Sequence, residues 1–401
     1  MRMNPDFFAS NRKKLVDEMH SGALVVITGH GEMQRLHDEA HRFEQEANFW
    51  YLCGIEEPDW WLVIDGSQGT EWLVAPSLSD TQRVFDGGLS EAGAKTISGI
   101  KTVIDRDEAL RRLRQLTKHH SIAYTVGQPQ QVREYATFQL NTSQSELRKT
   151  LERIFQKVND CSKTLRRLRA IKTTDEIQQI ERAVDLTIKS YDTVRALLSD
   201  AKHEYELEAQ FGYDFRMAGS KGFAYRPIIA SGKNACTLHY TNNNSQMRSG
   251  QLVLFDIGAR LNGYAADISR TYAKGKPTKR QQEVHAAVEQ ALYEVIALIK
   301  PGVGFDEYHA KTDMIMQRVV EGLRLKGDFR EYFPHAIGHG LGLDVHDSLD
   351  EHFEMKPGMV MTVEPGIYIP AEGIGVRIED NILVTPNGTK NLSRKLSTKL
   401  V

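Results

Sequence analysis

The chain has 401 residues, 40% of them hydrophobic and 26% charged, and its 51 basic and 53 acidic residues leave a net charge of −2. That length exceeds one typical domain, and the near-neutral balance offers no basic excess for nucleic acid and no acidic tail. No stretch approaches the ~18 unbroken apolar residues of a transmembrane helix, so no membrane partner is expected. The N-terminal MRMNPDFFASNRKKLVDEM has no apolar segment of the secretory kind. Cys53, Cys161 and Cys236 are too few and too scattered for a disulfide framework or a thiolate zinc cluster. A cytoplasmic protein is the expectation.

The first part reads as a mixed α/β domain. β-type runs stand at ALVVITG (23–29), NFWYLCG (48–54), WWLVIDG (60–66) and EWLVAP (71–76). Polar helical segments stand at EALRRLRQL (108–116) and SQSELRKTLERIFQKVND (143–160). All four tryptophans, Trp50, Trp60, Trp61 and Trp72, fall here. They read as core and strand packing, with a subunit interface or the roof of a neighbouring site as the sharper alternative. The basic stretch CSKTLRRLRAIKTTD marks a junction, giving domains at 1–160 and 176–401 with a linker at 161–175. After it, Thr173 and Glu176 have capping-box spacing, and Ile177, Ile180, Val184, Ile188 and Tyr191 form a helical stripe. A second helix is expected over 203–218, then strands in YRPIIASG, QLVLFDIG and GYAADISRTY. One further helix starts at Thr278, with Gln281 completing a capping box, and stops at Pro301-Gly302; another spans 305–322. The end is β-rich, with GMVMTVEPGIYIP, GVRIEDNILVT and the turn PNGT. Strands before and after a helix pair predict a curved antiparallel sheet with helices on its convex side.

Four carboxylates interrupt these apolar strands. Asp256 sits in QLVLFDIG and Asp267 in GYAADISRTY, with Asn262-Gly263, a strong hairpin signal, between them. If those two residues make the turn, Leu261 pairs with Tyr264 and Asp256 with residue 269. Asp256 and Asp267 then share a face as diagonal neighbours, roughly 5–8 Å apart. Glu364 interrupts MVMTVEPGIYI, and Glu379 interrupts GVRIEDNILV, where Arg377 shares its parity. A lone strand carboxylate is ordinarily a rim residue or half of an ion pair. Several on one buried face repel one another and need protons, a cationic partner or metal.

HAIGHGLGLDVHD (335–347) gathers three of the chain's 14 histidines, His335, His339 and His346, among glycines and apolar residues. By itself it is either a buried glycine-rich loop with incidental histidines, or a site where one imidazole binds metal and its neighbours handle protons. Two aspartates, two glutamates and one neutral histidine supply four negative charges, which two divalent cations balance. Such donors suit manganese, cobalt(II), iron(II) or zinc. Two ions ~3.5–4 Å apart lower the pKa of a water held between them.

HAIGHGLGLDVHD, together with LFDIGARLNGYAADISRTY, MTVEPGIYIP and GVRIEDN, resembles the catalytic domain of the Xaa-Pro peptidases, the aminopeptidase P and prolidase group of pita-bread metallopeptidases. RFEQEANFWYLCGIEEPDWWLVIDG resembles the N-terminal domain of aminopeptidase P. The resemblance implies an α/β two-domain chain: an N-terminal mixed α/β domain, then a pita-bread α+β domain with a curved antiparallel sheet. It implies Asp256, Asp267, His339, Glu364 and Glu379 as ligands of two divalent ions, Mn2+ first among Co2+, Zn2+ and Fe2+. Asp267 and Glu379 would bridge the ions, and Glu364 would double as general base. His239, in CTLHYTNN, matches the family's substrate and proton-shuttling histidines with His335 and His346, while Tyr368 and Arg377 match supporting positions. The implied activity is hydrolysis of an Xaa-Pro bond in a peptide with proline at position 2, by a hydroxide between the metals, in a homodimer or homotetramer. Prolidase is the near alternative, and a peptide-binding protein without catalysis the distant one. Methionine aminopeptidase ordinarily lacks such an N-terminal domain, and creatinase lacks the ligands. His352 and the pair His119-His120 have no such context and read as surface residues.

Overall fold

Short apolar runs punctuated by turns build the sheet of the first unit. The computed structural model describes residues 3–20, 22–127, 138–349 and 354–401, and the chain divides into Met1–Leu168 and Arg169–Val401. In the first unit β1 (Leu24–Thr28), β2 (Trp61–Asp65), β3 (Thr70–Val74), β4 (Val103–Ile104), β5 (Ile122–Thr125) and β6 (Lys157–Asp160) form one sheet of order β4-β3-β2-β1-β5-β6. β1, β2 and β3 pair antiparallel, and the outer strands join in parallel. Leu24, Val26, Val63 and Trp72 pack against Leu113, Leu147 and Leu151 of the helices Arg106–Leu116 and Ser143–Glu152. Trp50, Trp60 and Trp72 are buried, and the Arg106 guanidinium lies 3.6 Å over the ring of Trp61.

Two readings in this unit need correction. NFWYLCG is a helix, Ala47–Cys53, rather than a strand. All its residues but Asn48 are buried, so no polar face shows the helical period. The termini carry the signal instead: the Glu46 carboxylate accepts the Phe49 N–H at 2.6 Å, and Gly54 closes the helix at φ 70°. SQSELRKTLERIFQKVND splits into a helix ending at Glu152 and strand β6, because the last residues find a parallel partner in β5. The helix Ser162–Ala170 follows.

In the second unit the helix Thr174–Leu197 starts in the Thr173–Glu176 capping box and leads to the helix Glu204–Met217. The strands are β7 (Gly222–Phe223), β8 (Ile228–Ser231), β9 (Gln251–Ile257), β10 (Ala259–Leu261), β11 (Tyr264–Ala265), β12 (Ile268–Lys274), β13 (Val360–Val363), β14 (Gly366–Ile369), β15 (Ile374–Arg377), β16 (Asp380–Thr385) and β17 (Gly388–Asn391). Every pairing among them is antiparallel. The helices Lys279–Leu298 and Phe305–Gly322 press Val284, Val288, Leu292 and Met316 onto Met361, Val363, Val376 and Ile382. These strands form four small sheets, β11-β10-β7, β12-β9-β8, β13-β16-β17 and β14-β15, and strands of the last three share one core with the helix pair. Among the described residues no helix is long and apolar enough to cross a membrane.

Candidate active site

The hairpin between β10 and β11 sets the first two carboxylates. Asn262 and Gly263 have φ of 51° and 88°, both positive as a two-residue type I′ turn requires. Leu261 pairs with Tyr264 and Asp256 with Ser269, the register that the sequence predicts. Asp256 and Asp267 do converge: the Tyr225 hydroxyl lies 2.6 Å from Oδ1 of each. One hydroxyl proton serves one of these oxygens, so the other contact calls for a proton or a cation. Tyr225, invisible to pattern reading because a tyrosine after a short strand carries no signal, is what joins the pair. Asn381 holds the backbone of Asp267 from the neighbouring strand.

Glu364 and Glu379 stand where strands break. β13 stops at Val363 before Glu364-Pro365, and Glu379 lies between β15 and β16. The parity of Arg377 and Glu379 along one continuous strand therefore does not apply; Ser269 brings them together instead. Its hydroxyl donates to Glu379 Oε2 at 2.8 Å and accepts from Arg377 Nε at 3.0 Å. Arg377 also donates from Nη1 to the Tyr368 hydroxyl (2.7 Å) and from Nη2 to Asp256 Oδ2 (2.5 Å).

The histidine loop runs beside β13. His339 N–H donates to Thr362 Oγ1 (3.0 Å), Thr362 N–H to the His339 carbonyl (2.8 Å), and Leu341 N–H to the Val360 carbonyl (2.9 Å). Its glycines answer to these neighbours. A Cβ on Gly338 would meet the Thr362 carbonyl oxygen at 2.1 Å, and one on Gly342 would meet Asp347 Oδ2 at 2.0 Å. Asp347 itself is buried and anchors the loop. It takes Arg169 Nη2 at 2.8 Å, Lys172 Nζ at 3.6 Å, and the N–H groups of Leu343 (3.1 Å) and Ser348 (2.7 Å).

His339 Nδ1 is 2.9 Å from the carbonyl of Gly340. That holds Nδ1 as a donor and turns Nε2 towards Asp267 Oδ2 (3.5 Å) and Glu364 Oε1 (3.6 Å). His335 is arranged alike, with Nδ1 2.8 Å from the Ala336 carbonyl and Nε2 2.9 Å from the Tyr368 hydroxyl. Arg377 Nη1 donates to that hydroxyl, so the phenol proton points at His335. The His346 ring lies 4.2 Å from that of His339, centroid to centroid. His239 is exposed, yet near enough for its charge to bear on His346.

Asp267, His339 and Glu379 each offer a ligand atom within 4.8 Å of the others. Burial first, and then neighbouring anions, raises the carboxyls of Asp267 and Glu379 and pushes that of Glu364 up to about 7. Burial works against a charge on His339, but Asp267 and Glu364 outweigh it and raise the imidazole to about 9. Hard oxygen donors and one oriented imidazole, crowded enough to bind protons, fit divalent cations. Asp256, Asp267, His335, His339, Glu364, Tyr368, Arg377 and Glu379 thus form one contiguous cluster, with His346 and His239 on its exposed side. His120 is a correction: it is buried, 3.1 Å from Asp65 Oδ1, while His119 is exposed. His352 lies outside the described residues. A cavity of about 770 Å³ between the helices Lys279–Leu298 and Phe305–Gly322 includes none of the cluster.

Comparison with known proteins bears on this geometry. The pattern described as metallopeptidase family M24 matches residues 178–386. The aminopeptidase P N-terminal domain matches residues 8–139. The Xaa-Pro aminopeptidase of Escherichia coli is 32% identical over 425 residues, covering 98% of this chain and 95% of that protein. An Xaa-Pro dipeptidase of Pyrococcus furiosus is 36% identical over 244 residues, covering 60% of this chain and 67% of that one. The low-pH structure of E. coli aminopeptidase P superposes with a TM-score of 0.88 at 29% identity, covering 100% of this chain and 97% of the other.

Proposed function

Since the chain belongs to metallopeptidase family M24, we propose that it is a metal-dependent Xaa-Pro aminopeptidase, releasing the first residue from peptides with proline at position 2. One observation carries this reading. Asp256, Asp267, His339, Glu364 and Glu379 converge in a chain that is similar, over its whole length, to an Xaa-Pro aminopeptidase. Similarity to the dipeptidase spans 60% of the chain, which makes dipeptide-only cleavage the lesser reading.

Those five residues would hold two divalent cations, with Mn2+ preferred over Co2+, Zn2+ or Fe2+ on the hardness of the donors. Bound there, the cations would supply Lewis acidity at the scissile carbonyl and lower the pKa of the attacking water. Glu364, whose Oε1 lies 3.6 Å from His339 Nε2, is the general base for that water. Its proton passes to the proline nitrogen, which has no N–H of its own as a peptide nitrogen and must gain one to leave. Tyr368, set by Arg377 and His335, keeps a fixed hydroxyl beside the reacting groups. His346 and His239, on the exposed side, meet the substrate and the developing oxyanion.

The reading includes a homodimer or homotetramer. The helix Asp80–Phe85 buries none of its residues and leaves Val84 and Phe85 each 81% exposed, a surface that a second copy would cover. It also includes a reducing, cytoplasmic setting, supported by three unpaired cysteines. The test is a mass-spectrometric digest of an Xaa-Pro-Xaa tripeptide beside an Xaa-Pro dipeptide, with Mn2+ and then with chelator. Release of the first residue from the tripeptide, lost on chelation, is expected. Cleavage of the dipeptide alone makes the protein a prolidase, and no cleavage of either overturns the proposal.

A further inference from the structure

Glu204, the first residue of its helix, is fully buried. A buried carboxylate is costly unless donors fill its oxygens, and these oxygens are filled from one segment of chain. Oε1 accepts from Ser231 N–H (2.8 Å), the Ser231 hydroxyl (2.7 Å) and the Asn234 amide (3.1 Å). Oε2 accepts from the Tyr240 hydroxyl (2.8 Å) and Ser245 N–H (2.9 Å). The backbone closes the ring, with Glu204 N–H donating to the Ser245 carbonyl at 3.1 Å. A single side chain thus ties together both ends and the middle of residues 231–245.

His239 lies inside that segment, beside Tyr240, and is exposed. No side-chain hydrogen bond holds its ring among the described residues, so its position is set by the backbone on either side. Two further ties fix the same segment from outside. Asn243, buried at φ 46°, donates to Glu208 (2.8 Å) and the Pro227 carbonyl (3.0 Å) and accepts Ile229 N–H (2.9 Å). Cys236 Sγ reaches the Ile374 carbonyl of β15 at 3.4 Å. β15 also carries Arg377.

We propose that Glu204 is a positioning residue for the reaction: its carboxylate pins residues 231–245 so that exposed His239 is presented at the open side of the carboxylate cluster. The activity part of this proposal rests on the Xaa-Pro aminopeptidase reading; the pinning does not. A glutamate that served only folding would lower activity by the same factor whatever stands at 239. One that acts through His239 loses its effect once His239 is gone.

The experiment is a double-mutant cycle of Glu204→Gln and His239→Ala in the metal-loaded, full-length protein, with kcat and KM read on an Xaa-Pro-Xaa tripeptide. Glu204→Gln keeps the size but sets an amide against Ser245 N–H and the Tyr240 hydroxyl. Displacing a contact by a fraction of an ångström is expected to cost about tenfold in kcat/KM. The same change in the His239→Ala background is expected to cost less than about twofold. Equal losses in both backgrounds overturn the proposal. Tyr240→Phe removes one tie and serves if Glu204→Gln fails to fold; about threefold loss with the same non-additivity is expected. Hydrogen exchange is measured in parallel. Faster exchange in 237–245 with β9 and β12 unchanged is expected, and unaltered protection in 237–245 overturns the pinning. If the wild type cleaves no peptide, the activity reading falls, and exchange alone decides the pinning.

Discussion

Arg377 is buried, and each of its three side-chain nitrogens donates to a residue of the site: Ser269, Tyr368 and Asp256. A lysine offers one point charge and cannot span all three. Tyr368→Phe removes the oxygen between Arg377 and His335. A loss of about 10- to 100-fold in kcat is expected, with metal content unchanged by elemental analysis; full activity would dismiss the phenol's role. Glu364→Gln removes both a charge and the base, and a kcat fall of about 10³-fold or more is expected with the circular dichroism of the wild type. The same crowding predicts a pH effect. Glu364 is raised to about 7 from 4.5, and His339 to about 9 from 6.5. Each raised group favours the folded state below its unfolded value and loses that contribution as pH climbs through the folded one. Burial pushes His335 and His346 down to about 4 and lowers His285, which opposes this trend only below their unfolded value near 6.5; Asp347, shifted downward, acts lower still. Between pH 7 and pH 8.5 the raised groups dominate, and chelator-treated protein is therefore expected to melt lower at pH 8.5 than at pH 7, by on the order of 5 °C. Mn2+ should flatten that slope. A chelated protein more stable at pH 8.5 would contradict it.

At the scale of elements, the histidine loop depends on what it passes. Gly338 meets the backbone of β13, which cannot retreat as a flexible side chain would. Gly338→Ala is expected to displace His339, lowering Mn2+ affinity at least about 10-fold by calorimetry while the first unit keeps its fold. Asp347→Asn strips buried Lys172 of the carboxylate 3.6 Å away and weakens the hold on Arg169. A cost on the order of 3 kcal/mol in denaturant unfolding is expected. The sequence exposed some of this and not the rest, for physical reasons. The Asn262-Gly263 turn determines local dihedrals, so the Asp256–Ser269 register is readable from it. The capping boxes at Thr173 and Thr278 are equally local, and both form. Tyr225, Ser269 and Asp347 act across long separations in chain, and nothing in their own neighbourhoods announces it. NFWYLCG misleads because burial on every side erases periodicity, leaving only Glu46 and Gly54 to mark a helix.

For the molecule as a whole, the antiparallel β-rich second unit and the mixed first unit follow the reading from composition and pattern. That Asp256 and Asp267 share a face needed only the hairpin register; that five ligand candidates meet needed the three-dimensional path of four separate segments. The exposed helix Asp80–Phe85 belongs to this scale, since the proposed oligomer would cover its apolar residues. Phe85→Asp is expected to lower the sedimentation coefficient at micromolar concentration without changing thermal stability by more than about 2 °C. An unchanged oligomer, or a wild type already monomeric and fully active, would remove the surface from consideration.

The protons on His335 and His339 are fixed by the carbonyls of Ala336 and Gly340, each the next residue in the chain. Many imidazoles are oriented by a carboxylate from elsewhere, which a single codon change deletes. Here the orienting atom is main chain, present whatever residue is encoded. These tautomers are inherited with the path of the loop rather than with any one side chain, so their mutational target shrinks to the positions that shape that path. A saturation library over 335–347 should accordingly lose function at Gly338, Gly340 and Gly342 as completely as at the histidines, and tolerate change at Ala336.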